Sequence, residues 1–139
     1  MSNESDVRSL LGRYCHAMDG DDVQALLDCF TADGAFRYYA PGAQEPMLDH
    51  RGAEQLAAWF AEHRAGTPIG SQTHVTVNAD VSVQGADGEV RSTYLSVREG
   101  AEGAIVITAT GRYADRVTRG DDGRWRFVQR DCRGFMPRA

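Results

Sequence analysis

Apolar residues recur every three to four positions through the first half of the chain, and from Ser71 the period shortens to two. Val7, Leu10, Leu11, Tyr14 and Met18 fall on one stripe and predict a helix from about Glu4 to Met18. Asn3 or Ser5 can cap its start, and Asp19-Gly20 ends it, glycine being a favoured stop. A second helix is predicted over about Asp22 to Thr31, with Val23, Leu26, Leu27 and Phe30 on one stripe and Asp21 as its cap. Asp33-Gly34 signals a turn, Ala35 to Tyr39 reads as a short strand, and Pro41 to Arg51 as a loop. A third helix, about Ala53 to Arg64, buries Leu56, Ala57 and Phe60.

In the second half, Val75, Val77, Ala79, Val81 and Val83 are expected on one face of a strand, with His74, Thr76, Asn78, Asp80 and Ser82 on the other. Ala86-Asp87-Gly88 supplies a hairpin turn. Strands follow at Glu89 to Arg98, at Ala104 to Thr118, where Gly111 suits a bend or bulge, and at Arg124 to Cys132. Four strands joined by short turns predict an antiparallel meander. Helices first and strands second predict an α+β domain with its helices on one face of the sheet.

Composition narrows the function classes more than the fold. At 139 residues the chain suits a single domain spanning 1–139, and 42% apolar with 25% charged residues suits an ordinary buried core. A net charge of −5 argues against nucleic acid or an anionic membrane as partner. No apolar run approaches the roughly 18 residues of a membrane helix, and Met1 to Asp6 is unlike a secretory signal, so a cytoplasmic location is expected. Cys15, Cys29 and Cys132 have neither disulfide nor zinc spacing and read as small hydrophobes. No HExxH, P-loop or Gly-x-Gly-x-x-Gly motif occurs, so neither a metal nor a cofactor is expected. The arginines from Arg112 to Arg138 alternate with acids and read as a solvated or interface surface.

Several motifs, in order, resemble the SnoaL-like branch of the nuclear transport factor 2-like superfamily. They are Tyr14-Cys-His-Ala-Met-Asp19, then Phe30-Thr-Ala-Asp33-Gly34, then Thr73-His74 followed by Asn78. Gly111-Arg-Tyr113-Ala-Asp115 and Gly123-Arg-Trp125-Arg-Phe127 complete the set. The resemblance implies a cone-shaped α+β roll, with three N-terminal helices packed on a strongly curved, mixed and mainly antiparallel sheet around a pocket. Its members include dehydratases, ketosteroid isomerases, epoxide hydrolases, polyketide cyclases and binding modules, so fold leaves the activity open.

His74 is the first candidate for chemistry, because imidazole titrates near neutrality. Its polar strand face becomes a pocket face if the sheet curves. A carboxylate at Asp19, at a helix C-terminus, opposes the helix dipole and calls for a partner. The resemblance implies that His74 is catalytic, with Asp19 as an active-site aspartate. It also implies a catalytic Tyr14, as in bile-acid dehydratase-like members, and a water-holding Tyr38, as in scytalone dehydratase-like ones. Asn78, at i+4 from His74, is an expected orienting group. Met18, Phe60, Tyr94, Ser96 and Arg112 are expected to line the cavity. His16 is expected at the surface, His50 at a pocket rim, and His63 at a helix end where a cation suits the dipole.

The second catalytic histidine of scytalone dehydratase-like enzymes, on the strand matching Tyr94 to Arg98, is missing, which makes scytalone a poor substrate. The expected activity is a cofactor-free dehydratase or isomerase acting on a hydrophobic oxygenated small molecule, polyketide-like or steroid-like. Cyclisation, epoxide opening and non-catalytic ligand binding are the alternatives. By resemblance the expected assembly is a homodimer.

Overall fold

The computed structural model describes residues 2–135. Helix α1 (Asn3–Asp19) buries Val7, Leu10, Leu11, Tyr14, Ala17 and Met18 along the expected stripe, but its cap is Ser2, whose Oγ accepts from Ser5 N–H. Asp22, rather than Asp21, caps α2 (Val23–Leu27) by accepting from Ala25 N–H. This helix is half as long as its apolar stripe suggests. The Cys29 carbonyl accepts from Phe127 N–H at 2.7 Å, which draws the chain into the sheet. Phe30 therefore opens β1 (Phe30–Tyr39), five residues early. The expected loop that follows contains β2 (Leu48–Arg51), paired antiparallel with β1. Then come α3 (Gly52–Gly66), β3 (Thr73–Gln84), β4 (Asp87–Glu99), β5 (Ile105–Arg119) and β6 (Trp125–Gly134).

The strands form one six-stranded sheet in the order β2-β1-β6-β5-β4-β3. Strands β3 to β6 make the expected antiparallel meander, and β1 joins β6 in parallel, so the sheet is mixed. The result is an α+β cone with the three helices packed on the sheet. Its core joins the α1 stripe to Phe30, Val90, Tyr113, Val117, Trp125 and Phe127. No described helix is long and apolar enough to cross a membrane.

One irregularity decides what faces the interior. Val77 lies opposite Thr93 and Asp80 opposite Arg91, so β3 carries one extra residue at Asn78–Ala79. Asn78 takes φ 55°, the left-handed conformation that asparagine tolerates. A bulge reverses alternation. His74 therefore shares the inner face with Ala79, Val81 and Val83, which pack against the core. The expectation that Val75 and Val77 share a face with Val81 and Val83 fails for this reason. A second bulge, at Val128 in β6, lets both Phe127 and Arg130 point inward.

Gly111 of β5 sits opposite Tyr94 of β4. A Cβ there would run into the Arg133 carbonyl and come within 2.6 Å of Cε1 and 2.8 Å of the hydroxyl of Tyr94. Gly111→Ala is expected to cost about 1–3 kcal/mol by overpacking and to displace Tyr94. Thermal melting and tyrosine NMR shifts check this; a melting temperature equal to wild type would refute it.

Candidate active site

Asp19 is the last residue of α1, and His74 is the second residue of β3. The carboxylate holds the histidine twice. Its two oxygens accept from the His74 backbone N–H at 3.0 and 3.1 Å, and Oδ1 lies 2.6 Å from Nδ1. A carboxylate at that distance places the proton on Nδ1 and leaves Nε2 as the free nitrogen. The unfavourable position of Asp19 at a helix C-terminus is also compensated. Arg64 of α3 donates through Nη2 to the Met18 and Gly20 carbonyls at 2.5 Å each, placing a cation on the end of α1.

His74 lines an open cavity of about 280 Å³, together with Met18, Phe36, Tyr38, Trp59 and Tyr94 among others. Ser96 also lines it. Tyr14 contributes to the wall but is 1% exposed, with its ring edge-on to Phe127 at 5.7 Å. Burial pushes the Tyr14 and Tyr94 hydroxyls well above the usual phenol range, so both stay protonated at neutral pH and can donate hydrogen bonds. Tyr38 is half-buried, and the absent side chain of Gly134 makes room for its hydroxyl.

Three expected site residues lie elsewhere. Asn78 is exposed at the bulge, where the backbone has turned, and so cannot orient His74. Arg112 is exposed on the outer sheet face, between the inward Gly111 and Tyr113, with its guanidinium 5.2 Å from the Phe135 ring. Phe60 is 3% exposed in the core beneath Arg64 and does not line the cavity. Its neighbour Trp59 does, stacked between Phe36 and His50. His16 is exposed.

Sequence reasoning missed His63. It lines the same cavity, with its ring centre 5.9 Å from that of His74. Burial, then the neighbouring His74 and Arg64, lower its pKa, with Asp19 pulling the other way. The signal was present: Leu56, Phe60 and His63 fall at i, i+4 and i+7 on the buried stripe of α3.

The expectation of a solvated arginine surface also needs correction at Arg130, which is 0% exposed. Its Nε donates to Asp115 Oδ1 at 3.0 Å, and its guanidinium lies over the rings of Tyr113, Tyr14 and Phe127 at 3.5, 4.2 and 4.4 Å. The bulge at Val128 turns it inward, where alternation alone would put it outside. Arg138 lies outside the described residues. Among the described residues no cluster of three or more His, Cys, Asp or Glu side chains could hold a metal ion. All three cysteines are free, Cys15 within 3.2 Å of the Thr76 hydroxyl.

Solved structures with this fold are numerous. A protein of unknown function from Mycobacterium tuberculosis is 26% identical, with a TM-score of 0.81 over 96% of this chain and 72% of its own. A candidate aromatic ring hydroxylase from Novosphingobium aromaticivorans is 25% identical, with a TM-score of 0.79 over 97% and 90%. A candidate scytalone dehydratase from the same organism is 22% identical, with a TM-score of 0.75 over 95% and 83%, and shares the fold. No curated protein matches. The SnoaL-like domain family matches residues 1–131, so nearly the entire chain, including both Asp19 and His74, belongs to that family.

Proposed function

We infer that the protein is a cofactor-free acid–base enzyme, a dehydratase or isomerase, acting on a hydrophobic oxygenated small molecule. One observation carries this reading. Asp19 ties down Nδ1 of His74, and the ring borders an aromatic cavity with Nε2 uncommitted. That is the arrangement a general base needs.

In this reading Nε2 of His74 removes a proton α to a substrate carbonyl, and Asp19 stabilises the imidazolium that forms. The carbonyl oxygen gains negative charge as the C–H bond breaks. The Tyr38 and Tyr94 hydroxyls stand on the cavity wall as hydrogen-bond donors for that charge. In dehydration, the enolate expels a β-hydroxyl, which takes the proton from His74 and leaves as water. In isomerisation, the same proton returns to a different carbon. The aromatic walls of the cavity suit a ring system. The assembly in this reading is a homodimer paired through the outer sheet face, with no nucleic-acid or membrane partner.

Solvent-exchange chemistry tests this without knowledge of the true substrate. Wild-type protein in D₂O is expected to accelerate deuterium incorporation α to the carbonyl of 1-tetralone or 4-chromanone, followed by proton NMR. His74→Ala is expected to abolish the acceleration while retaining the wild-type circular dichroism spectrum. Equal rates with and without His74 would sink the mechanism.

A further inference from the structure

Resting on the acid–base reading above, we propose that His63 is a second functional imidazole of the cavity, which binds a substrate oxygen through Nε2 while His74 moves the proton. His63 comes from α3, on a different wall of the cavity from β3, yet its ring centre is 5.9 Å from that of His74 and tilted 56° to it. No hydrogen bond joins the two rings among the described residues. His74 is already held by Asp19, whereas Nε2 of His63 is buried with no hydrogen-bond partner among the described residues. A buried polar nitrogen without a partner is costly, and a ligand oxygen is one group that can complete it.

The surroundings also divide the labour. Burial, His74 and Arg64 all disfavour the His63 cation, and only Asp19 favours it. His63 is therefore neutral near pH 7 and does not compete with His74 for the proton. A neutral imidazole with its proton on Nε2 donates a hydrogen bond to a carbonyl or enolate oxygen, a role that histidines of lowered basicity fill in other acid–base sites. The two rings address one carbonyl group from two sides. His74 faces the carbon that loses its proton, and His63 faces the oxygen that gains charge. The ligand class is thus an oxygen-bearing ring, with the oxygen directed at α3.

Equilibrium binding of 2-naphthol and naphthalene, followed by quenching of tryptophan fluorescence, tests the assignment. The probes differ by one oxygen. Wild type is expected to bind 2-naphthol more tightly than naphthalene. His63→Leu is expected to weaken 2-naphthol binding by about tenfold while leaving naphthalene within about twofold, the scale of one lost hydrogen bond. His63→Gln, whose amide nitrogen reaches the position of Nε2, is expected to recover most of the loss. Equal loss of both probes in His63→Leu would reveal a packing role and overturn the assignment. So would unchanged 2-naphthol binding, no preference for 2-naphthol in wild type, or a loss seen in His74→Ala and absent from His63→Leu. Binding requires no proton transfer, so the assignment can fail while His74 still exchanges protons, and it can hold where exchange fails.

Discussion

Asp19→Asn is expected to leave the fold intact and lower the rate of tetralone exchange by on the order of 10³–10⁴-fold. With its oxygen in the place of Oδ2, asparagine can still accept from the His74 backbone N–H, as the carboxylate does there at 3.1 Å. Its amide nitrogen then faces Nδ1, where Oδ1 now lies at 2.6 Å. Two donors cannot share that contact, so Nδ1 becomes the acceptor and the proton moves to Nε2. The base then points its N–H into the cavity and has no lone pair for the substrate. Loss of the negative charge removes the stabilisation of the imidazolium as well. Asp19→Ala frees the ring without imposing the wrong tautomer and is expected to fall less far. A loss below tenfold in Asp19→Asn, with wild-type melting, would show that Asp19 serves only to close the α1–β3 junction.

Arg130→Ala is expected to destabilise the protein by about 3–5 kcal/mol, since it strands a buried carboxylate. For a domain of this size that lowers the melting temperature by roughly 10–15 °C. The guanidinium also fills the space among Tyr14, Tyr113 and Phe127, so its loss opens a hole behind the cavity wall. Replacing both partners, as Arg130→Met with Asp115→Leu, is expected to recover most of the loss.

The pH dependence has a definite sign. Burial pushes the Asp115 carboxyl up to about 6 from an ordinary 3.8, against the pull of Arg130. The folded state therefore holds this proton more tightly than the unfolded state. Its contribution to stability is complete below about pH 4 and is lost as pH rises through 6. The deficit of Arg130→Ala is expected to be larger at pH 8, where Asp115 is ionised, than at pH 5, where it is largely neutral. Denaturant melts at the two values check this, and a deficit equal at both would refute the assignment.

The parts of the fold that were legible in the sequence were those written in a repeated period. The α1 stripe from Val7 to Met18 and the four-strand meander came through with their boundaries nearly correct. Strand β2 did not, because Leu48–Arg51 is only four residues long and has no alternation of its own. Bulges were illegible for a different reason. An extra residue at Asn78 or Val128 changes no composition, yet it inverts every face beyond it. That inversion removed Asn78 from the site and turned Arg130 inward.

Fifty-five positions separate Asp19 from His74, and no local pattern links them. Only the family resemblance placed the two together. His63 was readable from its spacing with Leu56 and Phe60, but a histidine near a helix end has an ordinary explanation in the dipole, and that explanation concealed it.

The bulge in β3 also bears on how the protein can diversify. It splits one strand into two segments with separate duties. Within residues 73–77 His74 borders the cavity, and within residues 79–83 Ala79, Val81 and Val83 pack against the core. Because Asn78 resets the parity between them, the inward set of one segment does not fix the inward set of the other. A continuous strand would bind both duties to one alternation. The kink separates the residue that borders the cavity from those that pack the core within a dozen residues, so side-chain changes at 73–77 leave Ala79, Val81 and Val83 in register.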